Sequence, residues 1–139
     1  MVASIKDAQV GREIPPVRKR SYQRSLDENV FLPDSIHNND YTRSKGYAGA
    51  LTSSYVLCGY MSEMMVNFFG PGWLKGGRIA LRFVDGGVQQ GDEIICRGVI
   101  VERTEEGDGV RLNLDIWMEK GGGVKVAVGT ASGVLVGRE

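Results

Sequence analysis

The sequence predicts an α+β domain in which one long buried helix is wrapped by a curved antiparallel β-sheet. One observation is the segment 51–69, whose apolar residues cover nearly the whole circumference of a helix. Such a helix has to be enclosed by other elements. The other is the segment 78–136, where alternating apolar residues are separated by glycine-rich turns, as in a meander of strands. We expect a single domain over residues 1–139, long enough for a core of its own.

The N-terminal part carries weaker signals. We predict a first strand at 17–25, followed by a short helix or strand end at 26–32 that Pro33 stops. A polar stretch then leads to Asp40, which we expect to cap a short helix over 41–45.

The long helix is predicted at about 51–69, between clear start and stop signals. Thr52, Ser53 and Ser54 supply hydroxyls that can bond the free N–H groups of its first turn. The run 70–72, Gly-Pro-Gly, ends it. A cluster at its C-terminal end is predicted to be core: Met61, Met64, Met65, Phe68 and Phe69.

Four strands are predicted after the helix, at 78–83, 93–103, 110–119 and 124–136, with a hairpin turn at 106–109. Alternation predicts that two sets of residues each share a face: Leu112, Leu114, Ile116 and Met118; Val124, Val126, Val128 and Thr130. The order of strand, buried helix and antiparallel meander indicates a hot-dog architecture, for which we expect a dimer.

The composition excludes several classes of function. With 17 basic and 17 acidic residues and no block of like charge, no nucleic-acid surface is expected. One histidine and two distant cysteines, Cys58 and Cys96, are too few for a metal site, and we expect no cofactor. The cysteines are expected to be small buried hydrophobes in a reducing compartment. The first ten residues lack an apolar signal-peptide run, and polar residues interrupt 48–69, so we expect a cytoplasmic protein without a membrane span.

Several motifs resemble the MaoC-like dehydratase family, which is related to the (R)-specific enoyl-CoA hydratases. The matching residues are Ile36-His37, Asp40-Tyr41, Gly46-Tyr47 and Gly49, then 68–73 at the end of the helix, then 81–84, 91–94 and 97–100 in the strands, and finally Gly129-Thr130-Ala131. The resemblance covers roughly residues 34–135. It implies a hot-dog fold with acyl-thioester sites at a dimer interface.

The resemblance also implies residue roles for reversible hydration of a trans-2-enoyl thioester. His37 corresponds to the catalytic histidine of the family. Ser54 corresponds to the position whose backbone N–H polarises the thioester carbonyl, and Ser62 to a serine found further along the helix in some members.

The family's catalytic Asp falls at Leu32, which cannot transfer a proton. Asp34 is the nearest substitute and Asp40 the next, although turn formation and helix capping are competing explanations for them. Asn39 is a candidate for substrate binding, with solvation in a polar loop as its alternative.

We therefore hypothesise a hydratase or dehydratase, a lyase acting on an acyl-CoA or acyl-carrier-protein thioester, as a homodimer or an oligomer of dimers. One alternative is a hot-dog thioesterase with Glu63 or Asp40 as base, although a partner such as Arg78 or Arg82 is an ordinary explanation for Glu63. The other is a catalytically degraded subunit that binds an acyl chain or supports an active partner.

Overall fold

A computed structural model describes residues 3–84 and 87–137 of the chain. Its helices are α1 (Arg24–Glu28), α2 (Asn39–Ser44) and α3 (Ser54–Phe69). Its strands are β1 (Val17–Arg20), β2 (Arg78–Phe83), β3 (Glu93–Glu106), β4 (Gly109–Lys120) and β5 (Val124–Val136). They form one five-stranded antiparallel sheet in the order β1-β3-β4-β5-β2, and the predicted sheet and helix are confirmed.

Helix α3 packs one side into the core of the sheet. Its buried residues include the whole predicted cluster: Leu57, Met61, Met64, Met65, Phe68 and Phe69. The helix is not enclosed all round in the single chain, because Tyr55 is 69% exposed and Val66 is 41% exposed. It begins at Ser54 rather than near Leu51, since Leu51 forms a β-bridge with Gln89.

Strand β4 follows the predicted alternation, and its four predicted core-facing residues are all buried. The prediction for β5 is wrong, because the ladder to β4 shifts register. Met118 pairs with Ala127 while Glu119 pairs with Lys125, which leaves Val126 without an opposite residue. Val126 is therefore buried while Thr130 is exposed.

The N-terminal elements are shorter than the sequence predicts. Strand β1 ends at Arg20, and the chain turns into α1 instead of continuing as a strand to Ser25. This helix ends at Glu28 rather than at the predicted stop before Pro33, because Asn29 at its C-cap adopts a left-handed conformation with φ of 50°. The connection between β1 and α1 places the side chain of Gln23 against Ser53 at the start of α3.

The two cysteines differ in their surroundings. Cys96 is fully buried on β3, and burial raises the pKa of its thiol to about 12. Cys58 is half-buried on α3. In the part of the chain that the structure describes, none of the helices combines the length and the apolar character that crossing a membrane requires.

Candidate active site

Helix α2 orders the loop that carries His37. Its cap is Asn38, whose Oδ1 accepts hydrogen bonds from the N–H groups of Asp40 at 3.0 Å and Tyr41 at 3.1 Å. The predicted cap at Asp40 is wrong: this residue lies in the first turn, where its charge is favourable to the helix dipole. The amide of Asn38 also donates to the carbonyl of Phe31 at 3.3 Å, so it joins the loop on both sides of His37.

Replacing Asn38 with alanine is expected to cost about 1 kcal/mol of unfolding free energy, because it leaves two N–H groups without their acceptor. Asn38→Asp keeps the acceptor and should retain most of that stability. Chemical denaturation of both variants checks the difference. An alanine variant as stable as the wild type would show that the cap contributes nothing.

The ring of His37 is held against the chain that leads into α3. Its Nδ1 lies 2.7 Å from the carbonyl oxygen of Leu51. Because a carbonyl can only accept, this contact places a proton on Nδ1 and leaves Nε2 of the neutral ring as an acceptor. The ring also packs at 5.0 Å from that of Phe31, and the His37 N–H donates to the hydroxyl of Ser35. The imidazole is thus oriented with one nitrogen available for proton transfer.

Neither candidate acid is paired with this ring. Within residues 3–84 and 87–137, the ring of His37 makes its hydrogen bond to Leu51 and none to a carboxylate. Asp34 is exposed in a turn closed by the Ser35 N–H on the Leu32 carbonyl, and Asp40 is exposed on α2. Leu32, which the sequence resemblance aligns with the family's acid, is 73% exposed.

The start of α3 is held without a side-chain cap of its own. Ser53 is the N-cap residue, but its hydroxyl makes no bond to the helix. Instead, its N–H donates to Oε1 of Gln23 at 2.8 Å, and its hydroxyl accepts from Nε2 of the same residue at 2.8 Å. Among the described residues, the N–H groups of Ser54 and Tyr55 have no acceptor. Such a helix start attracts negative charge.

Glu63 and Ser62 lie two turns further along α3. Nine residues separate Glu63 from Ser54, which corresponds to about 13 Å of helix. Glu63 forms an ion pair with Lys19 of β1, with 2.8 Å between Nζ and Oε2, so the expectation of Arg78 or Arg82 as its partner is wrong. The hydrogen bond from Lys19 to Oε1 of Glu63, at 3.1 Å, joins the same two groups.

Asn39 faces a different side of the loop. Its Oδ1 accepts the Ala50 N–H at 3.0 Å, which fixes the chain just ahead of Leu51. It also lines a groove of about 610 Å³ together with Asp27, Arg43 and Gln90. His37 does not line this groove.

No protein-family model matches the sequence, and no curated protein matches it either. Solved structures do match. The MaoC-like dehydratase from Rhodospirillum rubrum has a TM-score of 0.75 at 18% identity, over 99% of this chain and 99% of that one. The (R)-hydratase PhaJ1 from Pseudomonas aeruginosa has a TM-score of 0.73 at 16% identity, over 98% of this chain and 86% of that one. The (R)-hydratase from A. caviae involved in PHA biosynthesis has a TM-score of 0.68 at 19% identity, over 92% of this chain and 96% of that one.

The chain has the hot-dog fold of the MaoC-like dehydratases and (R)-hydratases. The predicted fold and the structural resemblance are thereby confirmed. Within this hot-dog fold, His37 lies beside the segment that enters α3, so two of the expected parts, the imidazole and the helix start, come together. Asp34 in the loop and Asp40 in the first turn of α2 make no hydrogen bond to the ring, and Ser62 lies about 12 Å along the helix from Ser54.

Gln23 was missed by reasoning from the sequence. It stands 30 residues before Ser53, in a connection without a recognisable motif. The only signal was that Gln23 is a polar residue in a strand-like stretch. Such residues are too common to predict a contact with the helix start.

Proposed function

We propose that the protein is an acyl-thioester hydratase or dehydratase that adds water reversibly to a trans-2-enoyl thioester. One observation carries this proposal: the ring of His37 is bound to the carbonyl of Leu51, three residues ahead of the uncapped start of α3. The three residues from Leu51 to Ser54 span at most roughly 10 Å of extended chain, so the base and the N–H donors lie near each other. The shared fold with proteins described as hydratases supports the same reaction.

In the hydration direction, Nε2 of His37 accepts a proton from water as the water oxygen bonds to C3 of the enoyl group. The C2–C3 π electrons then move into the thioester, and the carbonyl oxygen becomes an enolate oxygen. The Ser54 N–H donates to this oxygen, where the dipole of α3 also favours negative charge. Return of the proton to C2 completes the addition. The reverse steps release water.

A carboxylate would assist His37 by holding the water or by carrying the proton to C2. We propose Asp34 first and Asp40 second, since each lies within three residues of His37 on the exposed side of the loop. Asp34→Asn and Asp40→Asn should separate them. The variant that loses activity identifies the assisting group, and full activity of both would show that neither side chain takes part.

Ser62 and Asn39 are proposed substrate contacts, and the substrate is proposed to be a thioester of coenzyme A or of an acyl carrier protein. We also propose a homodimer or an oligomer of dimers in the cytoplasm. The solvent-facing side of α3, with Tyr55 and Val66, supports cover by a second copy. In such an assembly, Ser62 would contact a substrate that enters along α3.

A second candidate is a subunit that binds an acyl thioester without turning it over. The observation that favours it is that the His37 ring, among the residues the structure describes, bonds to Leu51 and to no carboxylate, together with an exposed leucine at position 32. Thioester hydrolysis by Glu63 is less well supported, because Glu63 is bound to Lys19 and lies away from the helix start. Asp40 as a hydrolytic base lacks a contact with the ring.

Incubation with trans-2-enoyl-CoA of several chain lengths tests the proposal. We expect loss of the conjugated enoyl absorbance and formation of a 3-hydroxyacyl-CoA. Release of free thiol, abolished in Glu63→Gln, would instead indicate a thioesterase. Calorimetric binding of the enoyl-CoA without turnover would indicate the binding subunit, and either result would reject hydration.

A further inference from the structure

We propose that Gln23 is a positioning residue for the enolate-binding end of α3, and that its neutrality is needed there. The inference rests on the proposed hydration reaction. Gln23 does not touch the reacting atoms in this proposal. It holds Ser53 so that the N–H groups of the following two residues stay without an internal partner, and it adds no charge that would weaken their attraction for an anion.

Gln23 is one of the few polar side chains in the core region, only 5% exposed. Each polar atom of its amide is in use. Oε1 accepts the Ser53 N–H, and Nε2 lies within hydrogen-bond distance of the hydroxyls of Ser53, Ser25 and Tyr55, at 2.8, 2.9 and 3.3 Å. A buried side chain with this many partners has one orientation. Its bonds therefore fix the positions of Ser53 and Tyr55 relative to Gln23.

The backbone of Gln23 is equally fixed. The side chain of Gln90 accepts its N–H at 2.9 Å and donates to its carbonyl at 2.9 Å. The Leu26 N–H donates to the same carbonyl at 3.0 Å. The backbone of Gln23 is therefore held by the side chain of Gln90 and by Leu26 of α1, independently of α3. Its side chain can then fix the position of Ser53 instead of adjusting to it.

The arrangement has a consequence for charge. A helix start is normally neutralised in part by a hydroxyl or carboxylate acceptor on its first N–H groups. Here the cap hydroxyl is bound to an amide, and no acidic residue lies in the first turn of α3. The full attraction of the helix start is left for an external anion, such as the enolate oxygen.

Gln23→Glu tests the charge while keeping the shape. The carboxylate can still accept the Ser53 N–H, and the three hydroxyls can donate to it. We expect the variant to stay folded with a Tm near that of the wild type, because the hydroxyl donors and the helix dipole offset the cost of burying the charge. We also expect kcat to fall about 10-fold or more with KM nearly unchanged, because the charge opposes the developing enolate.

Gln23→Met tests the position while adding no charge. It keeps the length of the side chain but leaves the Ser53 N–H without its acceptor. We expect faster amide hydrogen exchange at Ser53, a lower Tm and a lower kcat. In Gln23→Glu the exchange protection of Ser53 should be retained, a combination that a purely structural role for Gln23 would not produce.

Gln9→Glu is the matched control, since Gln9 is exposed near the N-terminus and the same charge there should leave kcat unchanged. An active wild type with unaltered kcat in Gln23→Glu would overturn the inference alone. A wild type that hydrates no enoyl thioester would overturn the proposed function and this inference with it. Loss of kcat in Gln23→Glu with normal stability would support both.

Discussion

Replacing His37 with alanine is expected to lower kcat/KM for hydration of the preferred enoyl thioester by roughly 10²–10⁴-fold, the usual contribution of a general base. This corresponds to about 3–5 kcal/mol of transition-state stabilisation. The loss follows from the geometry, because Nδ1 is committed to Leu51 and Nε2 is the nitrogen left to accept a proton. Steady-state kinetics over several chain lengths measures it, and circular dichroism checks that the variant is folded.

His37→Asn separates proton transfer from loop structure. The Asn amide can place a donor near the former Nδ1 and so keep the bond to the Leu51 carbonyl, but it has no basic nitrogen. We expect it to be folded and as inactive as His37→Ala. If His37→Asn retained most of the activity, the ring would be a structural support and the base would have to be sought elsewhere.

Replacing Gly129 with alanine is expected to destabilise the protein by about 3 kcal/mol, at the upper end of the range for overpacked sites. Gly129 lies on β5 opposite Leu81 of the edge strand β2. A Cβ there would collide with the carbonyl oxygen of Ala80 and lie 2.9 Å from its carbon and 3.0 Å from the Cα of Leu81. Backbone atoms cannot move aside as a side chain can, so the pairing of β2 with β5 has to shift.

Gly121→Ala provides the control for this prediction. Gly121 is in the turn between β4 and β5, a Cβ added there would meet no atom of the described residues within 4 Å, and its φ is not left-handed. The same added methyl should change stability there by less than about 1 kcal/mol. Urea denaturation of both variants gives the comparison. Similar midpoints would mean that β2 adapts to the methyl, and the close approach would then not limit stability.

The long-range fold could be predicted because its signals repeat along the chain. Alternation over β4 places Leu112, Leu114 and Met118 on one face, and each additional residue reinforces the same assignment. The helix α3 is likewise marked by a long apolar run and by the Gly-Pro-Gly that follows. The β5 faces could not be predicted, because a single extra residue in the ladder at Val126 reverses the alternation without a signal in the sequence.

The site was less predictable because it depends on contacts between distant residues. His37 could be proposed from its surroundings, but the bond to Leu51 is a product of the folded loop. Several adjacent polar residues could cap α2, and only the geometry distinguishes Asn38 from Asp40. The role of Gln23 depends on a segment 30 residues away in sequence. Periodicity contains no information of this kind.

The uncapped start of α3 bears on how such proteins change over evolution. A contact made by a backbone N–H places almost no requirement on the side chain of that residue, so the proposed donor at position 54 is compatible with a serine there. Substitutions can therefore accumulate there under weak selection while the donor persists. This chain and a MaoC-like dehydratase share one fold over nearly their whole length at 18% identity. Selection would act on the position of the peptide group rather than on the residue.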